Sequence, residues 1–213
     1  MNTLERIKQL WSQLPLTGRT LPLEIPNVGR DDLAQLFAHL DFKVGAEVGT
    51  ERGLYAETLC QAVPRLKLYC VDPYRAYKGY REHTSQSKLD VFYEQAQQRL
   101  SDYDCEFIRK PSIEASKEIG DGSLDFIFID GNHSLLHVVQ DLCYWVPKVR
   151  SGGIVTGHDF IRRDHSGYLM HVPQALYAYT QSYGIDPWYV LGSKAVRDGE
   201  VRDKPRSWLF IKE

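Results

Sequence analysis

The apolar positions of this chain change their spacing repeatedly, and the changes mark out alternating helices and strands. Leu4 to Leu14 has helical spacing and predicts a short amphipathic helix, ended by a connector that carries Pro15, Pro22 and Pro26. Leu33, Leu36, Phe37 and Leu40 share one face of a second helix, which Asp31 or Asp32 can cap. Val44 to Val48 predicts a first strand, and Leu54 to Ala62 the helix after it, stopped by Pro64. Leu66 to Val71 predicts a second strand, ending at Asp72-Pro73; residues 74 to 86 are polar and aromatic without a period. Ser87-Lys88-Leu89-Asp90 resembles a capping box opening a helix to about Leu100. A short strand at Glu106 to Arg109 and a helix near Ser112 to Ile119 follow. Leu124 to Ile129 is nearly continuous apolar, as a strand buried on both faces should be. Leu135 to Val146 is a helix, Gly152-Gly153 its exit, and Ile154 to Thr156 the next strand.

The end of the chain breaks this rhythm. After a helix around Pro173 to Tyr183, Trp188 to Leu191 and Ser207 to Ile211 read as strands. Only the turn signal Val196-Arg197-Asp198-Gly199-Glu200 joins them, so they should pair antiparallel. The expected class is α/β: a mostly parallel sheet with helices on both faces, closed by an antiparallel C-terminal strand. With 213 residues there is room for one such domain over 31–213, preceded by a helix and connector over 1–30.

Composition removes several classes of function. The formal net charge is -2 with no long run of like charge, so neither a nucleic acid nor an acidic membrane is an expected partner. Cys60, Cys70, Cys105 and Cys143 form no Cys-x-x-Cys pair, and three of them sit in apolar runs suited to reduced, buried thiols. Met1 to Leu16 is too charged for a signal peptide or anchor, and no apolar run approaches a membrane-spanning length. A cytoplasmic location is expected, and a homodimer is left open as the assembly.

The most informative segment is Val44-Gly45-Ala46-Glu47-Val48-Gly49-Thr50-Glu51-Arg52-Gly53, a strand entering a glycine turn and then a helix. Such turns commonly hold nucleotide-like ligands. This one has Gly49 and Gly53 four apart rather than Gly-x-Gly-x-x-Gly, and it places the acid Glu51 where a pyrophosphate would lie. An adenosyl ligand with a positive centre and no phosphate fits better, and S-adenosylmethionine is such a ligand. Asp72, 25 residues after Glu47, ends the second strand and can accept hydrogen bonds from ribose hydroxyls.

Other sheet ends carry further chemistry. Ile129-Asp130-Gly131-Asn132-His133 sets an acid, a turn glycine and an imidazole after the buried strand, and the next strand ends Gly157-His158-Asp159. Asp130, His158 and Asp159 make a plausible set for Mg²⁺ or Mn²⁺, which would lower the pKa of a substrate hydroxyl. His133 is the preferred general base, because an ordinary imidazole titrates near neutral pH. Tyr74, Tyr77 and Tyr80 with Arg75, Lys78, Arg81 and His83 could cover an acceptor or simply pack their own loop; His165, Tyr168 and His171 are weaker candidates. Arg162-Arg163 reads as a solvated turn, and His137 with Asp141 as an exposed pair four apart on a helix.

Together these pieces resemble class I S-adenosylmethionine-dependent methyltransferases and their Rossmann-like sandwich of a seven-stranded sheet. The resemblance is greatest to the bacterial and phage group, methyltransferase domain 24-like, whose hallmark reads like Asp125-Phe126-Ile127-Phe128-Ile129-Asp130-Gly131-Asn132-His133. Trp145-Val146-Pro147-Lys148, Gly152-Gly153 and Gly157-His158-Asp159-Phe160 continue it, over about residues 40 to 160. The resemblance implies that Glu47, Gly49 and Gly53 hold the methionine end of the donor, Asp72 the ribose and the Ser112 region the adenine, with Asp130 also at the donor. In related metal-dependent O-methyltransferases the positions matching Asp130, His158 and Asp159 bind Mg²⁺, although His158 stands where those enzymes usually carry an acid. The function expected is methyl transfer, O-directed, to a hydroxyl of a small molecule or glycan sugar, with His133, Asp130 and Asp159 catalytic. The competing readings are a metal-dependent hydroxylase or NAD-linked oxidoreductase on the same sheet, and a non-catalytic cofactor-sensing domain.

Overall fold

A computed structural model of the chain describes residues 2–18, 20–77, 85–165, 168–195 and 198–213. In chain order the first elements are α1 (Thr3–Leu10), β1 (Leu23–Ile25), α2 (Arg30–His39), β2 (Val44–Val48), α3 (Leu54–Ala62) and β3 (Lys67–Val71). Next come α4 (Gln86–Arg99), β4 (Cys105–Ile108), α5 (Ser112–Ser116), β5 (Leu124–Ile129), α6 (Leu135–Trp145) and β6 (Val149–Gly157). The chain ends with β7 (Arg162–His165), β8 (Tyr168–His171), α7 (Val172–Tyr183), β9 (Trp188–Leu191) and β10 (Trp208–Ile211).

One sheet runs in the order β1-β9-β10-β6-β5-β2-β3-β4. Strands β2, β3, β4, β5 and β6 pair parallel, so their C-terminal ends share one edge. Strand β10 lies antiparallel between β6 and β9, with Trp208 opposite both Gly157 and Val190. This is the antiparallel closure expected from the last two apolar runs. The sheet has eight strands rather than seven, because Leu23 and Ile25 of the proline-rich connector pair parallel with Tyr189 and Leu191. Three residues with one exposed acid between two buried aliphatics are too short a pattern to stand out as a strand.

Strand β5 shows why the sheet is buried on both faces. Phe126 and Phe128 join the apolar cluster that also takes residues from α1, α2 and α3, while Ile127 and Ile129 join the cluster with α5, α6 and α7. Phe126 stacks on Phe37 with ring centroids 4.1 Å apart. It can do so only because Gly45 opposes it: a Cβ there would stand 2.2 Å from the ring. Full burial of one such side chain contributes about 1.5–3 kcal/mol, so the pairing of Gly45 with Phe126 is a structural choice rather than a turn.

Several local expectations change. Gly29, not Asp31 or Asp32, caps α2, and the Asp32 carboxylate accepts the Gly29 N–H at 2.8 Å. Ser85 rather than Ser87 caps α4, its hydroxyl accepting the Lys88 N–H. Arg162-Arg163 is not a turn but the start of a hairpin, with Arg162 opposite His171 and Arg163 opposite Met170. Of the cysteines, Cys60 and Cys70 are buried, Cys105 is half-buried and Cys143 exposed; all are free thiols. No helix among the described residues is long and apolar enough to cross a membrane. Lys78, Tyr80, Arg81 and His83 of the sequence-predicted cover, and Val196-Arg197 of the last turn, lie outside the described residues.

Candidate active site

The turn after β2 is shaped by its contact with the end of β5. Gly49 has φ +94°, and a Cβ on it would lie 2.2 Å from the Asp130 carbonyl oxygen, so no side chain fits. Its N–H donates to the Val71 carbonyl at 2.8 Å, tying the turn to β3 as well. Two residues before Gly49, Glu47 is 2% exposed, and among the described residues neither its Oε2 nor the neighbouring Thr50 Oγ1 has a hydrogen-bond partner. Burial pushes the Glu47 carboxyl up to about 8 against the lowering effect of the neighbouring Thr50 hydroxyl, and the charges of Asp130 and Asp72 add to the rise. A sealed acid with a spare acceptor is costly, and such costs cluster at functional sites.

Beyond this turn lies a cavity of about 490 Å³ at the common C-terminal edge of β2 to β5. Gly49, Asp72 and Ser112 line it, together with apolar Val48, Val71, Leu89 and Pro111. Asp72 is oriented by two backbone donors: Oδ2 accepts the Glu51 N–H at 3.1 Å and Oδ1 the Tyr74 N–H at 2.8 Å. Glu47, Gly53 and Asp130 are not on the lining. Gly53 instead caps α3 with φ +72° and packs against Leu100 after α4. Glu51 turns its carboxylate toward Arg52 at 3.6 Å. Tyr74 is core, its hydroxyl donating to the Glu51 carbonyl at 2.8 Å, whereas Arg75 and Tyr77 do face the cavity.

Next to the cavity, across Gly131 and Asn132, stands a cluster of two acids and an imidazole. His133 Nε2 lies 2.8 Å from Asp159 Oδ2 and 3.3 Å from Asp130 Oδ1. Asp159 reaches it from a left-handed backbone, φ +55°, which swings its carboxylate back over the end of β6. Burial alone would lower the His133 imidazole, but hydrogen bonds and charge from Asp130 and Asp159 outweigh it and push it up to about 10. Burial likewise opposes ionisation of Asp159, yet His133 and His158 hold it well below the usual carboxylate range. His158 sits at the rim, its Nδ1 3.4 Å from Asp159 Oδ1. Ligand atoms of Asp130, His133 and Asp159 all lie within 4.8 Å of one another. In that grouping His133 takes the position that sequence reasoning gave to His158.

A family model described as "Methyltransferase domain" matches residues 46–160, which is more than half of the chain and holds both the cavity and the cluster. The chain belongs to this methyltransferase domain family. Among solved structures, the methyltransferase chain is similar to the O-methyltransferase TomG from Streptomyces achromogenes in complex with S-adenosylmethionine, at 16% identity and TM-score 0.59 over 99% of this chain and 90% of that one. It is also similar to the O-methyltransferase from Bacillus cereus in complex with S-adenosylhomocysteine, at 14% identity and TM-score 0.59, covering 99% and 90%. At those identities the likeness speaks for the fold. A curated relative, the uncharacterized protein y4gI of Sinorhizobium fredii, is 29% identical over 125 residues, 56% of this chain. The chain spans only 13% of that relative's length.

One part of this candidate site escaped the sequence. His137 and Asp141, expected as an exposed pair, both line the cavity, and Asp141 is only 4% exposed. Its Oδ1 accepts the Ser112 hydroxyl, and Ser112 Oγ in turn accepts the Trp145 indole N–H at 2.8 Å. Burial raises the Asp141 carboxyl to about 7, against the lowering effect of that Ser112 bond. His137 turns its Nδ1 to the Ser134 hydroxyl at 2.7 Å rather than to Asp141. The β7–β8 hairpin adds a further contact, the His171 N–H donating to the His133 carbonyl at 2.8 Å, while the His171 ring pairs with Asp164. The side chains of His165 and Tyr168 lie outside the described residues.

Proposed function

We propose that this methyltransferase uses S-adenosylmethionine as donor and a hydroxyl of a small molecule or glycan sugar as acceptor. The observation that carries the reading is the placement of the Asp130–His133–Asp159 cluster next to a cavity lined by Asp72 at the end of β3 and by the Gly49 turn. Asp72 would accept the ribose hydroxyls, Gly49 would let the chain approach the donor closely, and Glu47 would balance its positive end from behind the turn. Gly53 and Asp130 would act through the turn they shape.

Methyl transfer is an in-line displacement at carbon, so most of the gain comes from holding oxygen, carbon and sulfur aligned. The acceptor hydroxyl must also lose its proton. The donor set fits a divalent cation: two carboxylates and an imbedded imidazole converge, and the proton now shared among them is what a cation would displace. Mg²⁺ or Mn²⁺ held by Asp130, His133 and Asp159, with His158 behind, would supply Lewis-acid polarisation of the hydroxyl. The chain's own part is separable from that. Without a cation, His133 would be the base in its neutral form, with the two carboxylates orienting it and stabilising the imidazolium it becomes; a cation held at its Nε2 would take over the activation of the hydroxyl instead.

Calorimetric or thermal-shift titration with S-adenosylhomocysteine and with NAD, each with Mg²⁺ and with EDTA, tests the reading. Saturable binding of S-adenosylhomocysteine but not NAD is expected. Stabilisation by NAD alone would favour an oxidoreductase and defeat the proposal; binding without turnover on any hydroxylated acceptor would favour a cofactor sensor.

A further inference from the structure

Three of the four thiols, Cys60, Cys70 and Cys105, meet where helix α3 packs over strands β3 and β4. Cys60 stands two residues before the end of α3, and Cys105 is the first residue of β4. Among the described residues β4 pairs only with β3, so Cys105 lies on an edge of the sheet. The Cys60 and Cys105 sulfurs are 3.6 Å apart, in van der Waals contact. Cys60 is 7% exposed and Cys105 half-buried, so a small oxidant reaches the pair through Cys105. Hydrogen bonds from Cys60 and Cys70 lower the Cys105 thiol against its own burial; the same bonds, with burial, raise Cys60 and Cys70. The thiolate, which is the nucleophile, therefore resides on the most accessible sulfur of the three.

Register decides which neighbour can bridge to Cys105. Across the parallel pair, Cys105 stands opposite Leu68 and Cys70 opposite Phe107, an offset of two residues between the two cysteines. That offset on neighbouring strands separates the Cα atoms by about 8 Å, beyond the roughly 7 Å that a disulfide spans. Cys60 comes from a helix over the face of the sheet, where no strand register holds it away. Cys143 is on α6, which packs against the other apolar cluster.

We propose that Cys60 and Cys105 are an oxidisable dithiol, which a peroxide closes to a disulfide that staples α3 to the edge strand β4 of the folded chain. The Cys105 thiolate attacks the O–O bond of hydrogen peroxide, forming an S–O bond and releasing hydroxide, which recovers the proton the thiol had lost. The Cys60 sulfur then attacks the sulfenic sulfur of Cys105. The S–S bond forms, the S–O bond breaks, and the departing hydroxide takes the Cys60 proton. The two sulfurs give up two electrons, and one hydrogen peroxide becomes two waters. None of the three cysteines lines the cavity, so the bridge restrains the unfolded chain without reshaping the candidate active site.

The test treats the folded, reduced full chain with a modest excess of hydrogen peroxide, alkylates the remaining thiols under denaturing conditions, and reads intact mass and peptide maps. The chain should lose two hydrogens and two alkylation sites, mapped to a Cys60–Cys105 bridge that dithiothreitol reverses. Its thermal midpoint should stand about 4 °C or more above that of the reduced chain. In Cys60→Ser, dimedone should trap a sulfenic acid on Cys105, whereas Cys105→Ser should give no adduct on Cys60. Retention of all four thiols by the wild-type chain, or a bridge joining any other pair, overturns the proposal, and neither result depends on a variant folding. An unchanged or lower midpoint in the bridged chain overturns the staple.

Discussion

Glu47→Gln should make the protein more stable at alkaline pH while weakening its grip on the donor. Glu47 is 2% exposed with an unpartnered Oε2, and its carboxyl lies at about 8 against an ordinary value of 4.5. In this interval the folded chain keeps a proton that the unfolded chain has lost. Stability from this group is therefore intact below pH 4.5 and declines as pH rises toward 8, beyond which the penalty is constant. At about 1.4 kcal/mol per pH unit, the full penalty is about 5 kcal/mol. Glutamine has nearly the same shape and never ionises, so the variant escapes the decline.

Urea unfolding of both proteins between pH 5.5 and pH 8 isolates the effect, since every other titrating group is common to the two. The difference in unfolding free energy should move in favour of the variant by about 3 kcal/mol over that range. The absolute offset is not diagnostic, because the buried amide brings hydrogen-bonding demands of its own; the slope is. A difference that stays flat with pH would mean that Glu47 is not an acid deprived of water, and the argument for its role behind the turn would fall. Affinity for S-adenosylhomocysteine should drop about tenfold in the variant, the usual exchange of stability against function at such sites.

His133→Ala should lower turnover at least tenfold and leave S-adenosylhomocysteine affinity within a few-fold, because the ring is not part of the cavity lining; steady-state kinetics beside calorimetry would show undiminished turnover if the assignment is mistaken. In EDTA, kcat/KM should climb with pH through 8 to 9.5, because His133 must lose a proton held up to about 10; a plateau reached by pH 7 would show that the two carboxylates do not hold that proton. Gly49→Ala should lose about 3 kcal/mol or more, read by urea unfolding, since a Cβ would meet the Asp130 carbonyl at 2.2 Å from a backbone at φ +94°. Retained stability there would mean that the turn can relax away from β5.

Much of the sheet was legible because burial on both faces leaves a plain mark. Val44–Val48 and Leu124–Ile129 have the same bounds in the sequence reading and in the structure. Strand β1 escaped because three residues cannot establish an alternation, and β7 escaped because Arg162, Arg163 and Asp164 are polar on both faces of a hairpin. The meeting of Asp130 and Asp159 followed from adjacent parallel strand ends. Which imidazole would stand between them did not, because it depends on the left-handed backbone at Asp159, which no spacing rule encodes.

Asp141 is the more instructive miss. Judged against His137, four residues back, it looks like half of a solvated helical pair. Judged against the apolar positions of the same helix, it lies with Val138, Leu142 and Trp145 on the stripe that faces the core, and all four are buried. An acid on the buried stripe of a helix must find a donor or lose its charge, and here it does some of both, through Ser112 and through a carboxyl raised to about 7. Helical spacing toward the apolar residues, rather than toward the nearest opposite charge, is therefore the pattern that separates a wall of the cavity from a solvated face.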